Sequence, residues 1–212
     1  EKEDTSAEFK QFVRKNVFGN PAIWVLAIAN FFVYIVRYAV LDWGPTLLGE
    51  WKGVSIHHAG WMVAAFEISG IVGMLVAGWA TDRFFGGRGP RVCVICMALA
   101  TVFVALFWGI SQPPMWLATL LLGAAGFCIY GPQALVGIAA ANIATKKAAA
   151  TAVGFTGLFG YASTLVSGWG LGLLAQHYGW NIAVGALILI AIMGTLIFMA
   201  AWSAKANGYD ND

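Results

Sequence analysis

The sequence predicts an all-α membrane protein of six transmembrane helices. Three observations carry that prediction. The chain of 212 residues is 60 % hydrophobic and 10 % charged, whereas soluble domains are about 25 % charged. Its apolar residues gather into six segments, each near the roughly 20 residues needed to cross a hydrocarbon core of about 30 Å. Its basic residues fall on one side of those segments.

The elements follow in order. Residues 1–20 read as a cytoplasmic linker. It opens on the polar run Glu1-Lys2-Glu3-Asp4, without an initiator Met or a cleavable signal, as expected for the interior of a longer polypeptide. Thr5-Ser6-Ala7-Glu8 reads as a capping box. Phe9, Phe12, Val13 and Val17 then share one helical face, with Lys10, Arg14 and Lys15 beside it. A short basic amphipathic helix on the inner leaflet is expected. The six spans are drawn at about 21–47, 58–80, 91–110, 114–141, 149–176 and 180–202, and a cytoplasmic tail at 203–212. Short connections rich in Gly and Pro separate them, among them Gly86-Gly87-Arg88-Gly89-Pro90 and Gln112-Pro113-Pro114.

Orientation follows from Lys and Arg. With both termini inside, ten of the twelve lie inside, Lys52 lies outside and Arg37 is within the membrane. Tryptophans near the segment ends, such as Trp43, Trp79, Trp108 and Trp180, match an interfacial belt. Small residues recur within spans: Gly70, Gly73, Ala77 and Gly78 in the second, Gly154, Gly157 and Gly160 in the fifth, then Gly168 and Gly172. Such stripes let helices pack closely. Cys93, Cys96 and Cys128 all sit in apolar runs. They read as small buried residues, because no strand–helix context surrounds the Cys93-x-x-Cys96 spacing.

Arg37 is the residue that composition does not explain. With a helix over 21–47 its middle lies near Tyr34, so Arg37 is about 4–5 Å from the centre at 1.5 Å per residue. A guanidinium at that depth faces a water-filled cavity or pairs with an internal carboxylate. Asn30, Tyr34 and Arg37 are spaced i, i+4, i+7 and share a face. The stripe reads as a cavity wall for an anion, since the planar guanidinium binds phosphate or carboxylate bidentately. Glu67 is the second charge within a span. It either pairs with Arg37, contacts ligand hydroxyls or competes with the ligand for the cation. Asp42, before Gly44-Pro45, reads as a loop or helix-end residue and not as a ligand contact. In the fourth span Tyr130 and Gln133 share a face around Gly131-Pro132, which permits a kink. In the fifth, Tyr161 lies near Thr156, Ser163 and Thr164. His57-His58 lack a third metal ligand. No nucleophile–base pair or nucleotide-binding loop is present, so neither enzyme activity, a cofactor, a metal nor a nucleic-acid partner is expected.

These residues carry a resemblance. Phe31-Phe-Val-Tyr34-Ile-Val-Arg37-Tyr-Ala-Val-Leu-Asp42-Trp43-Gly-Pro45-Thr resembles the seventh helix of the organophosphate:phosphate antiporters, within the major facilitator superfamily. Ile129-Tyr130-Gly-Pro132 resembles the tenth helix, and Lys146 through Tyr161 the start of the eleventh. The likeness covers nearly all of 9–202 and is nearest to bacterial glycerol-3-phosphate and hexose-phosphate transporters. It implies the C-terminal half of a twelve-helix fold in the inner membrane, with an N-terminal six-helix half as partner. It further implies that Arg37 binds the phosphoryl group, and that Tyr34, Glu67, Tyr130 and Tyr161 line the same cavity. Gly78-x-x-x-Asp82-Arg83-x-x-Gly86-Gly87-Arg88 resembles the superfamily's cytoplasmic gate motif, with one extra residue before the glycines. There Asp82 is expected to bond neighbouring Arg residues, Arg83 or Arg88, or the start of another helix. The implied function is exchange of an organophosphate for inorganic phosphate by alternating access. A sugar-phosphate receptor that signals to a partner protein is the alternative.

Overall fold

The computed structural model describes residues 2–204, with side chains from Ala7 onward. Lys205 and most of the expected tail lie outside the described residues. The elements are helices throughout: α1 (Lys2–Val13), a π-helical turn (Arg14–Phe18), α2 (Pro21–Lys52), α3 (Ile56–Phe85), α4 (Gly89–Gly109), α5 (Met115–Ile143), α6 (Ala149–Ala162), a second π-helical turn (Val166–Gly170), α7 (Leu171–Tyr178) and α8 (Trp180–Ala200). Six helical stretches are long and apolar enough to cross a membrane, the fifth being Ala149–Tyr178.

Local chemistry sets the ends of α2. The Asn20 side chain accepts from the Ala22 amide at 3.0 Å, and Pro21 occupies the first turn, where a missing N–H is harmless. At the far end Gly53 takes φ 69°. That conformation lets its amide reach the Gly49 carbonyl and the Val54 amide reach Leu48. The sequence expectation ended this helix near Leu47, at the Gly49–Gly53 breakers. The helix instead continues to Lys52, because Leu48 is buried and Trp51 packs on Phe107 with ring centroids 5.8 Å apart. Lys52 then donates to the Ile110 carbonyl at 2.6 Å, meeting the C-terminal end of α4. Asp42 is consequently not at a helix end. It lies ten residues before the end of α2, exposed.

The α3–α5 pair is packed at backbone distance. A Cβ on Gly73 would lie 1.9 Å from the Phe127 carbonyl oxygen, and one on Gly126 would lie 2.3 Å from that of Phe66. Ser69 Oγ donates across the same seam to the Gly123 carbonyl at 2.7 Å. The fifth-span glycines behave differently. Gly154, Gly157 and Gly168 face open space, Gly170 meets only Val166 of its own turn, and Gly160 and Gly172 meet side chains of α2. The expected stripe of close packing is therefore confined to those two positions.

The fifth span is also not one continuous helix. It divides at Ser163–Leu165 into α6, a π turn and α7. The Trp43 indole donates to the Ser167 carbonyl at 3.0 Å, and Trp43 occupies the space that a Gly172 side chain would take. A carbonyl held from α2 and the adjacent Gly168 and Gly170 favour the wider turn.

α1 starts at Lys2, so Thr5 is inside the helix and the expected capping box does not begin it. Val13 and Val17 join the core, and the Lys147 ammonium lies 5.6 Å from the Phe12 ring. This face of the segment packs on the bundle, while Phe9 and Phe18 stay exposed. Cys93 and Cys128 are buried, Cys96 is half-buried, and all three are free.

Candidate binding site

The midpoint of Pro21–Lys52 falls between Val36 and Arg37. The longer helix therefore brings Arg37 closer to mid-helix than the sequence estimate did. Its guanidinium meets two other helices. Nη2 donates to the Tyr130 hydroxyl of α5 at 2.9 Å, and the Tyr130 hydroxyl donates to Glu67 Oε2 of α3. Arg37 Nη2 and Glu67 Oε2 form an ion pair at 3.6 Å. The pairing alternative for these two charges is thus realised, with tyrosine as the bridge. The guanidinium also sits 4.7 Å from the Tyr130 ring centroid and 5.4 Å from that of Tyr38.

The arrangement leaves much unused. Of the five N–H groups an arginine carries, one makes a hydrogen bond among the described residues. Arg37 Nε and Glu67 Oε1 are buried without partners. The contact to Glu67 uses one oxygen and is not a bidentate fork. The side chains remain partly accessible, 16 % for Arg37 and 31 % for Glu67.

A second group adjoins the first. Asn30 is buried, and its Nδ2 donates to the Thr156 carbonyl of α6 at 3.0 Å. The Tyr34 and Tyr161 rings meet edge to face with centroids 6.1 Å apart. Asn30, Tyr34, Gln133, Thr156, Gly157 and Tyr161 line a cavity of about 410 Å³ between α2, α5 and α6. Tyr38 connects the groups, since its ring lies 5.7 Å from that of Tyr34 and beside the guanidinium. The six predicted residues therefore fall into a charged triad of Arg37, Tyr130 and Glu67 and a polar cavity holding Asn30, Tyr34 and Tyr161.

Sequence reasoning did not assign Tyr38 or Gln133 to the site. Tyr38 follows Tyr34 by four residues and Gln133 follows Tyr130 by three. Helical spacing from the residues already chosen was the available signal.

Asp82, Arg83 and Arg88 lie elsewhere, where α3 turns into α4. Asp82 and Arg83 are exposed, and Arg88 is half-buried at the N-cap position of α4. Gly86 and Gly87 both take positive φ, 57° and 75°, which accommodates the extra residue of this motif. Asp82 lines a small cavity of about 70 Å³ with Thr81 and Asn142. Among the described residues no ion pair joins Asp82 to Arg83 or Arg88 in this conformation.

Comparison with known proteins gives a consistent set. Residues 26–208 match the profile described as Major Facilitator Superfamily. The chain is 40 % identical over 189 residues to a probable hexose phosphate transport protein of Chlamydia pneumoniae, covering 89 % of this chain and 42 % of the relative. It is 36 % identical over 210 residues to the glycerol-3-phosphate transporter of Haemophilus influenzae, covering 90 % and 44 %. It is 34 % identical over 198 residues to the membrane sensor protein UhpC of Salmonella typhimurium, covering 93 % and 45 %. The chain spans less than half the length of these relatives.

Proposed function

We propose, because this chain belongs to the Major Facilitator Superfamily, that its six helices form one half of a secondary transporter for an organophosphate. The observation that carries the reading is Arg37: a mid-helix guanidinium with one hydrogen bond, beside a carboxylate that holds it through a single oxygen. A phosphoryl group offers a tighter, bidentate fit than Glu67 makes. Phosphate would draw Arg37 off the carboxylate, and Glu67 would return when phosphate leaves. The same site would take inorganic phosphate and the phosphate end of an organophosphate, which is the requirement for exchanging one for the other.

Transport needs a second wall. Tyr161, which lines the cavity, is 65 % exposed. Relatives more than twice as long support an N-terminal six-helix half covering this face, with the halves rocking about the site. The charge asymmetry supports a cytoplasmic position for both termini, and the bacterial transporters this chain is similar to support an inner-membrane location. Asp82, Arg83 and Arg88 would then stand at the cytoplasmic end, where contacts made in one state and broken in the other serve as a gate.

The test is phosphate exchange in vesicles carrying the complete protein and its Arg37→Lys form. Lysine keeps the charge and loses the fork. Exchange should fall by on the order of 100-fold, a loss of about 2.7 kcal/mol. Full exchange by the lysine form would defeat the phosphate role of Arg37. The sensor relative favours a second reading, ligand binding that signals to a partner protein. Tight phosphate binding without any exchange would select it.

A further inference from the structure

Two buried acceptor oxygens beside the charged triad have no donor. They are Asn30 Oδ1 and Gln133 Oε1; both residues line the 410 Å³ cavity, and the Gln133 amide meets the Tyr34 hydroxyl through its nitrogen, not through this oxygen. The Asn30 amide is not free to turn over. Its Nδ2 donates to the Thr156 carbonyl at 3.0 Å, and a flip would set oxygen against oxygen. Asn30 is 3 % exposed, so an unmet oxygen there carries a real desolvation penalty.

Position relates the two amides to the guanidinium. Gln133 lies three residues beyond Tyr130 in α5, about 4.5 Å along the axis. Asn30 lies seven residues before Arg37 in α2, about 10 Å along its axis. Successive spans run in opposite directions, so α2 and α5 are antiparallel and both displacements lead toward the same end of the bundle. The cavity therefore extends from the phosphate position toward the start of α2. Its volume is at the scale of small-molecule sites. Tyr34 and Tyr161 form part of its walls, offering flat apolar faces to the carbon skeleton of a ligand.

The donor count selects the ligand chemistry. A phosphate monoester dianion offers acceptors and no donor, so its phosphoryl end cannot satisfy Asn30 Oδ1 or Gln133 Oε1. A hydroxyl does. We infer that Gln133 and Asn30 form a polyol subsite, in which two amide oxygens accept hydrogen bonds from hydroxyls of the organic part while Arg37 holds the phosphoryl group. This inference rests on the organophosphate reading above and deepens it. It assigns a ligand role to Gln133 and gives the bound molecule a direction, phosphate at Arg37 and hydroxyls toward Asn30.

Equilibrium binding to the complete protein tests it separately from transport. The probes are inorganic phosphate, glycerol 3-phosphate and propyl phosphate, which keeps the three carbons and lacks both hydroxyls. The parent protein should bind glycerol 3-phosphate on the order of tenfold more tightly than propyl phosphate. Gln133→Leu should weaken glycerol 3-phosphate on the order of tenfold more than it weakens inorganic phosphate, and should narrow the gap to propyl phosphate. Equal binding of the two esters by the parent overturns the subsite. So does a Gln133→Leu form that weakens all three probes alike, which is the signature of a purely structural amide. Should Gln133→Leu not fold, the comparison of esters on the parent protein decides alone. A protein with this binding order but no exchange in vesicles would retain the subsite and lose the transport reading.

Discussion

Placing a guanidinium at mid-helix costs on the order of 2.5–3.5 kcal/mol on insertion scales. Here Tyr130 and Glu67 offset that cost while leaving most of the N–H groups without a partner among the described residues. Glu67 in this arrangement competes with any anion for Arg37. Glu67→Gln should accordingly tighten phosphate binding, roughly two- to fivefold, because a loose and partly exposed ion pair contributes at most about 1 kcal/mol. Weaker binding in an equilibrium titration would instead show that the carboxylate helps to hold the ligand. Tyr130→Phe separates two contributions. It keeps the ring under the guanidinium and removes the hydroxyl that both accepts from Arg37 and donates to Glu67. Thermal unfolding should record a loss of about 1 kcal/mol.

Among the elements, the α3–α5 seam has the least room. Gly73→Ala or Gly126→Ala would press a Cβ onto a backbone carbonyl, and neither helix can yield by a side-chain rotation. Each should lower stability by about 3 kcal/mol. Gly78→Ala, facing open space, should stay within about 0.5 kcal/mol. A thermal-shift series of the three variants checks the contrast, and similar values for all three would mean that the helices separate easily. Lys52 supplies a different kind of join. Its ammonium lies 3.8 Å from the Trp51 ring centroid and donates to Ile110, where a cation also favours the C-terminal end of α4. Lys52→Met keeps the stem and removes the charge. It should cost about 1–2 kcal/mol, read by the same thermal shift.

On the scale of the whole molecule, α5 packs against α3 and α4, while α2 touches α3, α5, α6 and α8. The helices carrying Arg37, Glu67 and Tyr130 are therefore also ones that hold the bundle together, so the site is framed by rigid elements and not by loops. α1 and its π turn dock Val13 and Val17 into the same core, joining the linker to the bundle. The proposed orientation has a direct consequence for labelling. In sealed cells, a cysteine placed at Val54 should react with a membrane-impermeant thiol reagent from outside. One placed at Lys147, exposed in the turn before α6, should react only after the inner face is opened. The reverse pattern would invert the topology and move Asp82 to the outer end.

What the sequence determined alone was the material of the fold. Composition and apolar run length demanded six membrane helices, because backbone groups in lipid must be satisfied within each span, and the Major Facilitator Superfamily match agrees with that architecture. Arg37 and Glu67 were legible as misfits, since charge within an apolar run needs no structure to be noticed. Helical spacing also placed Asn30 and Tyr34 on the Arg37 face. Tertiary structure decided the rest. It carried α2 through Gly49 to Lys52, because Leu48 and Trp51 found partners on other helices. It broke the fifth span at Ser163–Leu165, where an indole from α2 takes a carbonyl. It also set Tyr130 between Arg37 and Glu67, and Gln133 in the cavity with Asn30. Periodicity orders residues around one helix. Which faces of different helices meet depends on where backbones can approach, and the glycines of α3 and α5 decided that for this bundle.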